Sequence, residues 1–230
     1  MCDAILFDFD GVLVDSEPLH FACWRDVAAT IGLTIDWDWY SANAIGVSDR
    51  EMIALFLRPH DNADNAHSPG RKSGEHSQAS TKPVSEASAR PDLEAALWQL
   101  FDEKKRLFAE RIAADVPMPQ EVRELFHELK ERGIPIAVVS TSFRSEVEPA
   151  LIAAGIRDCI TAIVCGDDVQ NLKPHPEPYL TAAKRLNATN PLVVEDSDTG
   201  AAAAKAAGFQ ILRVKSPSQP PSVVRAVLNL

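Results

Sequence analysis

Two aspartates and a glycine stand directly after the first apolar run of the chain, in the segment Ala4-Ile5-Leu6-Phe7-Asp8-Phe9-Asp10-Gly11. Such a run is typical of a parallel strand buried on both faces, and in open α/β sheets ligands gather at the carboxyl ends of these strands. Alternation of side chains puts Asp8 and Asp10 on one face, so two negative charges lie close together and need a cation. Mg²⁺ is the usual cation at a sparse carboxylate site that also receives phosphate. A lone aspartate would indicate only a polar loop, whereas this pair followed by Gly11 predicts a reaction centre.

Three later segments also place polar side chains at the ends of apolar runs or in the loops that follow them. Ser140 follows the run Ile134–Val139, Lys173 lies in a loop, and Glu195 and Asp196 follow another short apolar run. Each feature alone has an ordinary explanation, because serine commonly caps helices, Lys-Pro is common in solvated loops and Glu-Asp commonly begins a helix. Their order, and the placement of the polar residues after predicted strands, favour a single shared site.

The segment Asp8-Phe9-Asp10-Gly11-Val12-Leu13-Val14-Asp15-Ser16 resembles the first motif of the haloacid dehalogenase-like hydrolases. The similarity is to the subgroup with an inserted helical cap, which holds β-phosphoglucomutases and many sugar-phosphate phosphatases. Ser140 matches the second motif of that family, Lys173 the third, and the pair Glu195-Asp196 the fourth. The resemblance covers nearly the whole chain apart from residues 60–91.

The resemblance implies a role for each matching residue. Asp8 would be the nucleophile that forms an aspartyl phosphate, and Asp10 the general acid and base. Ser140 and Lys173 would bind the transferring phosphoryl group as a hydroxyl donor and a compact cation. The cofactor would be Mg²⁺, held by Asp8, the backbone carbonyl of Asp10 and Asp196. Glu195 would be a supporting acid beside this metal site.

The elements that must position these residues alternate between strand and helix. Apolar spacing before Gly133 predicts one helix, and the glycines at 155 and 208 are expected to end two others. The sequence therefore predicts an α/β fold with a Rossmann-like, doubly wound parallel sheet core and a small inserted α-helical cap domain. The predicted strands after the first are 134–139, 160–164, 192–194 and 209–214; the predicted core helices include 145–154, 177–186 and 200–207.

The chain divides into a core of residues 1–15 and 114–230 and a cap of residues 16–113. Ser16 is expected to cap the first cap helix, whose predicted buried stripe is Leu19, Cys23, Val27 and Ile31. Further cap helices are predicted around 49–57 and 92–113. Residues 60–91 carry too few apolar side chains to offset the entropy of ordering, so we expect a disordered insertion within the cap.

Substrate binding is predicted from the cap and from the loop after Ser140. In the mutases that this chain resembles, a cap loop Lys-Gly-x-Ser-Arg grips the distal end of the sugar phosphate. The matching stretch here retains Gly46 and Ser48, but Ile45 and Asp49 replace the cations and Arg50 is displaced by one position. Further predicted contacts are Thr141, Ser142, His20 and Arg144. The alternatives are that His20 is a polar residue on an exposed helix face and that Arg144 merely begins a helix.

Composition excludes several classes of partner. A net charge of −10 over 230 residues argues against sequence-independent binding of nucleic acid, which needs many lysines and arginines. No apolar run reaches the ~18 residues that a membrane span needs, so no membrane partner is expected. The four cysteines lack paired metal spacing and are expected to be reduced thiols in the cytoplasm. The remaining expectation is a monomer or weak homodimer that binds a small phosphorylated substrate.

Three functional hypotheses follow from these residues. A Mg²⁺-dependent phosphatase acting on a small phosphorylated metabolite, favoured as a sugar phosphate, accounts for every motif and for the lost cap cations. A phosphosugar mutase similar to β-phosphoglucomutase would use the same transfer chemistry with a sugar hydroxyl as the acceptor. A non-catalytic protein that binds or accepts phosphate is disfavoured by the complete set of motifs.

Overall fold

Five parallel strands form the central sheet of this chain. The computed structural model describes residues 2–45, 47, 49–56 and 91–229, without the side chains of 49, 50 and 91–97. The strands are β1 (Ile5–Phe7), β2 (Ile136–Val139), β3 (Ala162–Val164), β4 (Leu192–Glu195) and β5 (Gln210–Arg213). Their order across the sheet is β3-β2-β1-β4-β5. The strand β1 pairs with β2 on one side and β4 on the other, with Phe7 opposite Val138 and Val194.

Alternate residues of the central strands enter two different hydrophobic clusters. Ile5 and Phe7 belong to one cluster, which also holds the apolar stripe of helix α5 (Gln120–Glu131). Leu6 belongs to the other, together with Tyr179 of α7 (Glu177–Leu186) and small residues of α8 (Asp198–Ala206). Because the side chains of a strand alternate between faces, helices cover both sides of the sheet. This arrangement confirms the predicted doubly wound α/β fold.

Four helices from the first half of the chain carry a third hydrophobic cluster. They are α1 (Glu17–Thr30), α2 (Trp37–Asn43), α3 (Asp49–Phe56) and α4 (Pro91–Ala114). Their shared buried side chains include Trp24, Tyr40 and Met52, so this group packs around its own interior. We call these four helices the cap. None of the described helices is both long and apolar enough to cross a membrane.

Several predicted boundaries and elements need correction. The strand predicted from residue 134 begins at Ile136, since Pro135 has no N–H for the ladder. The strand predicted over 160–164 begins only at Ala162, because a short 3₁₀ turn covers Arg157–Cys159. Helix α8 begins at Asp198, where the Ser197 hydroxyl accepts the Gly200 N–H, rather than at Gly200.

Other helices also depart from the prediction. The helices α2 and α9 (Pro220–Leu228) were not predicted. In α1, Cys23 and Val27 are buried as expected, but Ile31 follows the last helical residue and is 45% exposed, so its predicted burial was wrong. The remaining core helix, α6 (Arg144–Ala153), starts one residue before its predicted position. Of the insertion predicted to be disordered over 60–91, residues 60–90 lie outside the described residues, whereas Pro91 begins α4, so the prediction was wrong at that residue.

Candidate active site

The polar residues of the three central strands meet because those strands are neighbours in the sheet. Asp8 follows β1, Ser140 follows β2, and Glu195 ends β4 with Asp196 next to it. The Asp8 N–H donates to Val194 O at 3.0 Å, and the Ser140 N–H donates to Val164 O at 2.9 Å. The sheet ladder therefore continues past the end of the strands and fixes both backbones where their side chains leave the sheet.

Lys173 joins two of these carboxylates. Its Nζ lies 2.7 Å from Asp8 Oδ1, 2.9 Å from Glu195 Oε1 and 3.1 Å from Val139 O. The side chain is 4% exposed. Burial disfavours its charge, but the neighbouring carboxylates outweigh burial and raise the pKa of Lys173 well above its ordinary value. Lys173 is therefore a fixed cation at the edge of the sheet.

Glu195 is fully buried and fully hydrogen-bonded. Its Oε1 accepts from Lys173 and, at 3.0 Å, from the Tyr179 hydroxyl; its Oε2 accepts from the N–H and the hydroxyl of Ser197 at 2.8 and 3.0 Å. Burial opposes its ionisation, yet Lys173 and the hydrogen-bond donors lower the pKa of Glu195. Its carboxylate fills the space beside Gly200, where an added Cβ would lie 1.5 Å from Oε1. This arrangement makes Glu195 an anchor for Lys173.

Three carboxylates of this group could hold a metal ion. Ligand atoms of Asp8, Glu195 and Asp196 all lie within 4.8 Å of one another. The pKa values of Asp8 and Asp196 are both raised, mainly by burial. The negative charge of Glu195 raises both further. In the described part of the chain, Lys173 is the cation that contacts Asp8 and Glu195, so three carboxylates here face one positive charge. An all-oxygen, electron-rich donor set of this kind fits a hard divalent cation such as Mg²⁺.

Gly11 allows the first and fourth motifs to approach each other. Its φ is +74°, a left-handed conformation that favours glycine. A Cβ at this position would lie 2.1 Å from Asp196 Oδ2. The glycine after the two aspartates therefore gives Asp196 the room to stand beside them.

Asp10 lies in a different electrostatic setting from Asp8. Its carboxylate accepts hydrogen bonds from Ser16 at 2.5 Å, from Ser142 at 3.0 Å and from Ser140 at 3.4 Å. His20 Nε2 is 3.9 Å from Asp10 Oδ1. Burial favours the neutral acid, but His20 and these hydroxyls outweigh it and lower the pKa of Asp10 to about 2. Asp10 is consequently a carboxylate at neutral pH.

Ser16 and His20 differ from the simplest expectation for the start of α1. Ser16 makes no side-chain hydrogen bond to the helix backbone, so the prediction that it caps α1 was wrong. Its buried hydroxyl instead donates to Asp10. His20 stacks on Phe108, with ring centroids 4.1 Å apart, and faces Asp10 rather than an exposed surface. The first turn of the cap therefore supplies two of the groups that surround Asp10.

A cavity of about 670 Å³ opens between the cap and the ends of the strands. Asp10 and Lys173 stand in its wall from the core, together with the predicted substrate residues Thr141 and Ser142. The cap contributes Glu17 and His20. Five aromatic side chains that the sequence did not predict also line the cavity: Trp24, Tyr40, Trp98 and Phe101 from the cap, and Phe143 from the core. This cavity gives a substrate access to Asp10 and to Lys173, the cation that contacts Asp8.

The structure does not bring Arg144 to this cavity. Its guanidinium lies 2.6 Å from Asp168 Oδ2 and donates to Ile163 O at 3.0 Å. Arg144 begins α6, which was the alternative interpretation of its position, so the prediction of a substrate contact is corrected. The predicted contacts at Gly46 and Ser48 lie outside the described residues, as does the side chain of Arg50 in α3.

Comparison with known proteins identifies the family. The model of the haloacid dehalogenase-like hydrolases matches residues 2–208. A phosphorylated carbohydrates phosphatase of Thermotoga maritima is 30% identical over 210 residues, which is 90% of this chain and 82% of that protein. The fructose-1-phosphate phosphatase YqaB of Escherichia coli K12 is 30% identical over 92% of this chain and 95% of its own length.

A solved structure agrees with these sequence relationships. The crystal structure of CbbY from Rhodobacter sphaeroides in complex with phosphate superposes with a TM-score of 0.67 at 27% identity. The match covers 92% of this chain and 85% of that one. It therefore includes both the sheet and the cap. This chain belongs to the family of haloacid dehalogenase-like hydrolases.

Proposed function

We propose that this protein is a Mg²⁺-dependent phosphatase that hydrolyses a sugar phosphate through an aspartyl phosphate on Asp8. The observation that carries the proposal is the contrast between two neighbouring carboxylates. Asp8 contacts Lys173, whereas Asp10 is surrounded by hydroxyls and His20. Two carboxylates in such different settings are suited to different tasks, one as nucleophile and the other as proton carrier.

Asp8 would attack phosphorus in line with the departing sugar oxygen. Burial raises the pKa of Asp8, whereas the charge of Lys173 favours the ionised carboxylate that the attack requires. Lys173 also holds this carboxylate in place and neutralises part of the negative charge that gathers when phosphate arrives. The hydroxyls of Ser140 and Ser142, which contact Asp10 here, would donate to the phosphoryl oxygens. The resulting aspartyl phosphate divides one difficult transfer into two easier ones.

Asp10 would protonate the leaving oxygen and then take a proton from the attacking water. With a pKa of about 2 it is ionised before substrate arrives, so an acid role requires a change in its surroundings. Two of the hydroxyls that stabilise its anion, those of Ser140 and Ser142, belong to the loop that would receive the phosphoryl group. When these hydroxyls turn to phosphate, the pKa of Asp10 should rise toward the range of a useful acid.

Asp8, Asp196 and the backbone carbonyl of Asp10 would hold Mg²⁺. When bound, the ion spreads the charge of the transferring group and offsets the crowded carboxylates. Glu195 would support the site from behind, because its oxygens are already occupied by Lys173, Tyr179 and Ser197.

The substrate class rests on the cavity and on the relatives. Both curated relatives described above are named as phosphatases of phosphorylated sugars, one of them of fructose 1-phosphate. The cap loop lacks the lysine that the mutase pattern requires and has the exposed Ile45 in its place. Weaker capture of a bisphosphate intermediate favours hydrolysis over isomerisation. All four cysteines are free thiols, which supports the proposal of a cytoplasmic enzyme.

One assay tests the proposal. The protein is incubated with Mg²⁺ and a panel of sugar phosphates that includes fructose 1-phosphate and β-glucose 1-phosphate, and released phosphate and isomerised sugar are measured together. We expect phosphate release that a chelator abolishes, and no release by the matched variant Asp8→Asn. Isomerisation that a trace of bisphosphate stimulates would identify a mutase instead.

A further inference from the structure

The cap and the core meet most closely where α4 lies along the start of α6. The Phe143 ring, at the N-cap position of α6, is held between two side chains of α4. Lys105 Nζ lies 3.7 Å from the centroid of that ring, and the Phe101 ring meets it edge-on at a centroid distance of 6.2 Å. Phe143 directly follows Ser142, so this contact adjoins the loop that surrounds Asp10.

A buried pair of opposite charges lies beside this contact. Lys104 of α4 is fully buried, and Glu146 of α6 is 2% exposed. Lys104 Nζ is 3.6 Å from Glu146 Oε1. The Glu146 Oε2 accepts the Phe143 N–H at 3.3 Å. One carboxylate therefore faces the cap with one oxygen and holds the backbone of the loop with the other.

The loop held by Glu146 carries the predicted phosphate ligands. The Ser142 hydroxyl donates to Asp10, and the Ser142 N–H donates to Ser140 Oγ at 3.0 Å. Behind the loop, the Gly166 N–H donates to Ser142 O at 2.9 Å. A shift at Phe143 would thus be felt at the hydroxyls that contact Asp10.

We propose that Glu146 is a positioning residue that couples the closed cap, through Lys104, to the phosphate-binding loop Ser140–Phe143. When the cap is closed, both charges leave water and stabilise each other; when it opens, both can be hydrated. Removal of one partner leaves the other charge buried in the closed form without this ion pair, which disfavours closure. Replacement of both partners by neutral side chains of similar size removes that penalty.

The variants Lys104→Met and Glu146→Gln and the double variant test whether the two side chains stabilise the closed cap together. With fructose 1-phosphate as substrate, we expect each single change to raise KM about tenfold and the double change to raise it less than either. Acetyl phosphate is too small to need the cap and senses only the change in the loop, so its KM should rise less than that of fructose 1-phosphate in each single variant. The matched control Arg106→Met removes an exposed cation from the same helix and should leave both substrates unaffected.

A second measurement does not depend on turnover. Hydrogen exchange of the Phe143 amide should accelerate in Lys104→Met, because the Glu146 carboxylate loses its contact with Lys104, turns to water and releases this N–H. Protection should return in the double variant. If Lys104→Met does not fold, Glu146→Gln provides the same test, through the difference between its KM for fructose 1-phosphate and its KM for acetyl phosphate.

The kinetic arm rests on the proposed phosphatase function, whereas the exchange arm does not. A wild-type protein that releases no phosphate from any sugar phosphate would refute that function and leave the exchange result to decide the coupling. Unchanged Phe143 exchange in Lys104→Met, equal losses with both substrates, or a double variant as poor as the sum of the single variants would overturn the proposal.

Discussion

The transfer centre and the cap cavity are built on different principles. Around Asp8, each polar side chain leaves a strand end or a loop held by the sheet, and its partners are charged and buried. Around the cavity, the cap presents aromatic side chains from several helices, among them Trp24 and Tyr40. Rigid strands suit a reaction whose geometry must not vary. A wall of helices that packs on its own interior can be altered without disturbing that geometry, so it is suited to the choice of substrate.

The largest effect on this contrast is expected from Lys173→Met. The change leaves Asp8 and Glu195 buried without their shared cation, and we expect phosphate release to fall by about 10³-fold or more. Phosphate release with saturating Mg²⁺ and fructose 1-phosphate measures it. The control Tyr179→Phe removes one hydrogen bond from Glu195 but keeps its ion pair with Lys173, so it should cost far less activity. A Lys173→Met variant with near-normal kcat would mean that the transfer centre does not depend on its buried cation.

Gly200→Ala should damage the same centre without replacing a charged residue. The new Cβ would lie 1.5 Å from Glu195 Oε1, so the anchor of Lys173 must move. We expect a loss of about 1–3 kcal/mol in the free energy of unfolding, measured in urea, together with a clear fall in kcat. The exposed neighbour Ala202, changed to serine, is the matched control on the same helix. Unchanged stability and kcat in Gly200→Ala would show that Glu195 has no fixed place.

A substitution in the cap, Tyr40→Phe, should change KM for the substrate without changing kcat. Tyr40 is buried, and its hydroxyl donates to Glu17 Oε1 at 2.8 Å in the cavity wall. Tyr40→Phe should raise KM for fructose 1-phosphate by about fivefold through loss of this hydrogen bond, while kcat stays near that of the wild type. Steady-state kinetics measure both constants. A fall in kcat with unchanged KM would place Tyr40 in the chemical step and erase the contrast between the two regions.

The smallest effect is expected from an ion pair within the cap. Arg111 donates to Asp26 at 2.6 Å, and this hydrogen bond lowers the pKa of Asp26. A lowered pKa means that the stabilisation is present above the unfolded value of about 4 and is lost as the pH falls further. Asp26→Asn should cost less than about 1 kcal/mol at pH 7, because both side chains are a third exposed. Thermal melting should show the difference shrinking below about pH 4; a constant difference would contradict the assignment.

The core was more predictable from sequence than the cap, for a physical reason. In β1 and β4 a continuous apolar run determines a buried parallel strand, and the polar residue at its end is thereby placed at the edge of the sheet. The cap depends on contacts between helices. The seven-residue helix α2 is fixed by its Asp36 cap and by Tyr40 packing, which leave little periodicity to detect.

Single polar residues were the other source of error. Ser16 occupies the N-cap position of α1, but its backbone is helical rather than extended, so its hydroxyl oxygen accepts no helix N–H and its O–H donates to Asp10. Arg144 follows the Ser140–Ser142 loop closely enough to suggest a substrate contact, yet Asp168 and the Ile163 carbonyl bind its guanidinium. In both cases the deciding partner lies on another element, which local sequence cannot show.

The central claim is that Asp8 carries the phosphoryl group and that Asp10 moves the proton. The variant Asp10→Asn, incubated with Mg²⁺ and acetyl phosphate, whose leaving acetate needs no proton, and quenched in acid, tests it by peptide mass spectrometry. We predict that one phosphoryl group accumulates on the peptide that contains Asp8, because the proton carrier needed for its hydrolysis is gone. Its absence from that peptide, with phosphate release at the wild-type rate, would contradict the account.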